Sequence, residues 1–156
     1  MMFLTFESAR KAVRDLIEFD PNQVESSINI LINELTTYNF LLQQFGVSDE
    51  TRAQDFRYAR LKLRQNSYRE IVGRTYWRAI DRKEYWTNRA TIETQKLARI
   101  PHIQLESDVG REQIRRISVE CEFAKQWAKA AETAHELEKR YDTLFPGQAI
   151  SRFRHS

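Results

Sequence analysis

Between Arg74 and Trp86 the chain reads RTYWRAIDRKEYW, two Tyr-Trp pairs nine residues apart with Arg74, Arg78, Arg82 and Lys83 beside or between them. Aromatic rings that stack on bases and cations that follow phosphates are the two ingredients of single-strand nucleic acid binding. The surrounding segment shares this composition. Residues 52–89 hold 11 Lys and Arg against 4 Asp and Glu, and 7 of the 18 aromatics. Residues 1–51 carry 3 basic against 8 acidic side chains, and residues 90–156 carry 11 against 10, so the net charge of +3 conceals one concentrated basic segment. A basic stretch interleaved with rings is the footprint expected of a nucleic acid binder. Its candidate contacts are Arg57, Arg60, Lys62, Arg64, Tyr68, Arg69, Arg74, Tyr76, Trp77, Arg78, Arg82, Lys83, Tyr85, Trp86 and Arg89. The competing reading of the Arg57, Arg60 and Arg64 stripe is a solvated helix face.

The residue types that carry catalysis are present without the spacing that catalysis needs. His102, His135 and His155 stand far apart and away from Cys121, so no local metal-ligand pattern forms. No glycine-rich phosphate loop occurs, which argues against nucleotide hydrolysis. Cys121 falls in a helical apolar seam, where a small buried hydrophobe is expected rather than a nucleophile. The carboxylates are mixed with Lys and Arg at helical spacing, which reads as solvation and i,i+4 pairing. The expectation is a protein without enzymatic activity and without a cofactor or metal.

The elements that must position the basic segment are helices. Only three prolines and four glycines interrupt 156 residues, and 30% of the chain is charged. One domain over 1–156 is expected, mainly α, a long-helix bundle with heptad seams and a C-terminal tail at 146–156. A first amphipathic helix over about 5–19 carries Phe6, Ala9, Val13, Leu16 and Ile17 on one side. Asp20-Pro21 is a start signal for the next, in which Val24, Ile28, Leu31, Leu35, Tyr38, Leu42 and Phe45 alternate in steps of four and three up to Gly46. Ser48 caps a helix over about 49–72, and Gly73 breaks or loosens it. Residues 75–86 are open between helix, which sends the two Tyr-Trp pairs to opposite faces, and a short hairpin, which brings them together. Residues 87–99 read as helix ended by Pro101, with an extended stretch after it.

The last helix, about 110–144 with Ser107 or Asp108 as cap, carries two seams. One runs Ile114, Ile117, Cys121, Ala124, Ala128, Ala131, and the other Phe123, Trp127, Ala130, Ala134, Leu137, Tyr141, Leu144. Two seams ask for more than one partner helix, so a homo-oligomer is expected. Its interface is assigned to Leu31, Leu35, Tyr38 and Leu42 together with the second seam, from Phe123 to Leu144. A single cysteine, a short apolar start and no run of about 18 apolar residues fit a soluble cytoplasmic protein with no membrane partner.

The order of features resembles the phage recombination mediator family (UvsY-type) of T-even-like phages. Leu63-Arg64 to Tyr68 followed by Gly73-Arg74 is similar to the family's Arg-x-x-Tyr-Tyr-x-Gly-Lys stretch, with a single Tyr68 in place of the tyrosine pair. Leu105-Glu106-Ser107-Asp108 is similar to its Leu-x-x-Asp element, and Arg140 with Ile150, Arg152 and Phe153 to its closing pattern. The resemblance spans about 28–154 and implies a ring-like homo-oligomer in the host cytoplasm. Such a protein binds single-stranded DNA, remodels the single-strand binding protein and helps load the phage recombinase. The alternative from another class is a helical structural or adaptor protein of a phage particle or assembly.

Overall fold

In the computed structural model, residues 6–18, 20–44, 56–101, 106–148 and 150 are described, and every element among them is helical. Four helices follow in order: α1 (Phe6–Glu18), α2 (Val24–Gln43), α3 (Phe56–Ala98) and α4 (Asp108–Leu144). Single 3-10 turns at Pro21–Gln23 and Pro146–Gln148 precede α2 and follow α4. The expected start at Asp20-Pro21 is realised through the first of these turns: the Asn22 N–H donates to Asp20 Oδ1 at 2.9 Å and proline opens the turn. Ser107 is the cap of α4, accepting from the Gly110 N–H at 3.3 Å, while Arg111 Nε and Nη2 hold the Glu106 carbonyl behind it.

In the middle of the chain one expectation is corrected and one open choice is closed in favour of the helix. Gly73 does not break the helix, and residues 75–86 form neither a turn nor a hairpin: α3 runs 43 residues through both. The reason is tertiary. A glycine costs a helix interior about 1 kcal/mol, and that cost is outweighed by a buried row at heptad spacing, Gln65, Tyr68, Val72, Thr75 and Ala79, continuing to Ala90. Phe45, Gly46 and the Ser48 cap lie outside the described residues, as do Leu105, Arg152 and Phe153. No described helix is long and apolar enough to cross a membrane.

Helices α3 and α4 form an antiparallel hairpin whose rungs are fixed by side chains. Tyr76 meets His135 at 5.2 Å between ring centroids, Trp86 meets Phe123 at 4.8 Å, Arg89 meets Glu120 at 3.5 Å, and Gln113 donates to Glu93. Small residues are buried along both helices, Ala79 and Ala90 on α3 and Ala131 and Ala134 on α4, while Ala130 lies beside the Pro21 turn and Val24 of α2. Helices α1 and α2 pack on the half of this hairpin near the chain ends. Tyr38 of α2 reaches Tyr68 and Arg64 of α3, Asn29 of α2 accepts from Arg140 of α4 at 3.0 Å, and the Ile17 carbonyl of α1 accepts from Arg78 at 3.5 Å. The result is an up-and-down four-helix bundle. At 1.5 Å per residue α3 is about 64 Å long and α2 about 30 Å, so the α3–α4 hairpin runs on alone beyond Trp86 and Phe123.

The core is built from the α2 seam and the second α4 seam. Leu31, Leu35, Tyr38 and Leu42, and Trp127, Ala130, Ala134, Leu137 and Tyr141, are all buried inside the chain. These nine residues, assigned above to contacts between copies, are covered by the chain's own helices, because α2, α3 and α4 pack on one another. Of that assignment only Phe123 and Leu144, at the two ends of the seam, are exposed, at 37% and 57%.

Burial sets the expected mutational response. Leu31→Ala should cost about 2–5 kcal/mol through the cavity it leaves, and Ala134→Leu about 1–3 kcal/mol through overpacking of the α3–α4 contact. Ile92→Ala, on the exposed distal hairpin, should stay within about 0.5 kcal/mol. Denaturant unfolding of the three variants measures this ordering, and an Ile92 variant as damaging as Leu31→Ala would contradict it.

Candidate nucleic-acid interface

The uninterrupted helix places the basic residues on one line. Arg57, Arg60, Arg64, Arg74, Arg78, Arg82, Tyr85 and Arg89 follow a repeat close to 3.6 residues, within a sector of about 100° on α3. The row is about 48 Å long. Sequence spacing reveals its first three members; the other four arginines join them only because Gly73 and Asp81-Arg82 stay helical.

The row has three parts. At its start Arg57, Arg60 and Arg64 line a cleft of about 610 Å³ with Leu61, Leu63, Ser67 and Tyr68. Arg64 is held there by α2: its Nη1 donates to the Tyr38 hydroxyl at 3.4 Å, and this contact strengthens its hold on its proton. In the middle α1 lies alongside, so that Arg74 and Arg78 rim a groove with Leu16, Ile17 and Ile71. Arg74 pairs with Glu70 at 2.6 Å, and burial together with Arg82 lowers the pKa of Arg78. At the far end Arg82 and Tyr85 are exposed, and Arg89 lies between the Tyr85 hydroxyl and the buried carboxylate of Glu120, which both raise its pKa.

The aromatic part of the expected site is corrected. Neither Tyr-Trp pair faces outward as a unit, because each pair splits across α3. Tyr76 and Trp86, ten residues apart, both turn towards α4, onto His135 and Phe123. Trp77 is half-buried and stands edge-on to Tyr76, and Tyr68 is buried against Tyr38. Only Tyr85 among these five rings is exposed, at 49%. Arg69 also leaves the surface: it is 2% exposed. Lys62 is half-buried and its Nζ donates to Gln65 Oε1, whereas Lys83 is exposed but lies off the row, on the side of α3 that faces α4 lower down. Cys121, expected to be buried in its seam, is exposed.

Tyr38 ties the row to the bundle. Its hydroxyl is shared between Glu34, one turn back, and Arg64, and burial raises its pKa far above the ordinary phenol range, with Glu34 adding to the shift. Because the folded chain keeps this proton where the unfolded chain releases it, the linked stability is complete below the unfolded value of 10.0 and is lost as pH rises past it. Denaturation across about pH 9 to 11 should show stability falling with pH, and less steeply in Tyr38→Phe. Identical slopes in the two proteins would exclude the linkage.

Comparison with protein-family models, with characterised proteins and with solved structures gives no match, so the reading of this interface rests on the chain's own residues.

Proposed function

We propose that this chain is a non-enzymatic single-stranded DNA binding protein of the recombination-mediator kind, whose contact surface is the arginine row of α3. The observation that carries the reading is seven arginines aligned along one side of a single helix. The pairs Arg74–Glu70 and Arg89–Glu120 each leave an arginine side chain almost half exposed, at 44% and 49%. The Arg74–Glu70 pair is open to solvent on both sides and holds weakly in salt, so a phosphate can take the place of the carboxylate there, whereas Arg89 keeps the buried Glu120 carboxylate and offers a phosphate only its open side. Rigidity favours the site too, since a continuous helix holds its cations in fixed register before any ligand arrives.

The exposed ring of Tyr85, between Arg82 and Arg89 in the row, supplies the preference for unpaired bases. In the role that the resemblance implies, the bound strand would be cleared of single-strand binding protein and passed to a phage recombinase. Copies joined in a ring-like homo-oligomer would add their contacts through multivalency. A second reading, a helical adaptor or structural protein, is favoured by the apolar residues exposed on the distal hairpin, Ile92, Val109, Ile114 and Val119.

Binding of a labelled oligonucleotide across a salt series tests the proposal. With about three phosphates neutralised per subunit, log affinity should fall against log salt with a slope near −2. Arg60→Glu combined with Arg82→Glu should flatten that slope by about 1.4 and lower affinity at least tenfold. Tyr85→Ala should cost about 1–3 kcal/mol for single strands and leave duplex affinity unchanged. Equal affinity for duplex and single strand in the unmodified protein would sink the single-strand assignment, and no binding at physiological salt would favour the adaptor reading.

A further inference from the structure

We infer that the bare side of the α3–α4 hairpin pairs two copies of this chain about a two-fold axis at Cys121. The inference concerns a different face from the arginine row and does not rest on the DNA reading. The first α4 seam keeps heptad steps of three and four; its last member, Ala131, is buried, but Ile114, Ile117, Cys121, Ala124 and Ala128 are left wholly or partly uncovered among the described residues. Ile114 is 45% exposed, Cys121 is exposed, and Ile117, Ala124 and Ala128 are half-buried. Cys121 and Ala124 share a groove with Thr87, Ala90, Thr91 and Thr94, lined among the described residues by α3 and α4 alone. Gln126 and Thr133, which face the Pro21 turn, lie on the roughly opposite side of α4.

What identifies the occupant as a second copy is that the seam complements itself when reversed. Two antiparallel α4 helices crossing at Cys121 set Ile114 of one against Ala128 of the other, and Ile117 against Ala124. Large residues then meet small ones at the levels on either side of the central Cys121 pair, which is how close-packed layers interdigitate. The charges on the outer flank match in the same register, with Arg111 opposite Glu132 at both ends of the contact. The apolar threonine and alanine groove of α3 gives the second helix a shallow bed. A two-fold contact of this kind uses one patch on both copies and closes at two. The face is about 22 Å long and about 20 Å wide, two helices side by side. Covering it in both copies buries about 900 Å², below the roughly 1,200 Å² at which stable specific interfaces begin and in the range of weak, reversible pairing. A ring of the kind that the resemblance implies would need a further, head-to-tail contact elsewhere.

The test uses the full chain under reducing conditions, with mass measured by sedimentation over a concentration series. A reversible dimer is expected, which a short bismaleimide captures through Cys121, and which persists without the reagent in Cys121→Ser. Ala124→Asp should yield a monomer that still unfolds cooperatively in dilute solution, because the side chain opens into the groove and not into the bundle core. Arg111→Glu should weaken dimerisation about tenfold, and adding Glu132→Arg in the same chain should restore it. Oligonucleotide binding by the Ala124→Asp monomer, measured in parallel, separates failure of this contact from failure of the arginine row. A monomer at every soluble concentration, or an oligomer whose mass Ala124→Asp does not change, overturns the inference.

Discussion

Everything in this fold depends on how closely α3 and α4 approach. Ala79 and Ala90 on one helix and Ala131 and Ala134 on the other are buried without the side-chain bulk that would hold the axes apart. Larger groups are then confined to places where a third helix leaves room. Tyr141, Trp127 and Tyr68 fill the space near α2, while Ile28, Leu31, Ile32 and Leu35 close the bundle over them. Dispersion and burial, rather than hydrogen bonds between helices, give this contact its stability. The rungs from Tyr76–His135 to Arg89–Glu120 set the register, and register determines which side chains remain outside.

Charge is arranged around that contact with a clear division. Most cations of α3 lie in one sector, at the side of the helix that α1 and α2 approach, where their long stems cover apolar surface and their heads stay at the rim. Arg64 shows how a rim cation is fixed without being buried: the Tyr38 hydroxyl holds it at the edge of the cleft, and Glu34 holds the hydroxyl in turn. Thr75 illustrates the interior solution. It is buried in the same helix, and its hydroxyl donates to the Ile71 carbonyl one turn back at 2.7 Å, so no donor is left for water.

Much of the architecture was legible in the residues. The spacing of apolar positions marks α1, α2 and α4 to within two or three residues at the ends described, and the caps at Asp20 and Ser107 are in place. What spacing could not deliver was the continuity of α3. Its heptad row meets Arg82 between Ala79 and Trp86, where the steps ask for an apolar residue, and Gly73 carries the local signature of a breaker. Only the opposing surface of α4 outweighs those signals, and that surface is distant in sequence. The α2 seam and the second α4 seam, given to a second copy on the ground that two seams need more than one partner helix, find those partners in α3 and in each other. The Tyr-Trp pairs could not be divided into inner and outer rings until the axis of a single helix was known.

The lone section of hairpin beyond Trp86 and Phe123 has a consequence of a different kind. It touches neither α1 nor α2 among the described residues, and its two helices meet through a heptad pattern that repeats along their length. Adding or removing seven residues in each helix would move its tip by about 10 Å and return every remaining side chain to its former face. Length is therefore adjustable in this fold in a way that width is not. Related chains could keep an unaltered bundle while reaching to different distances from it.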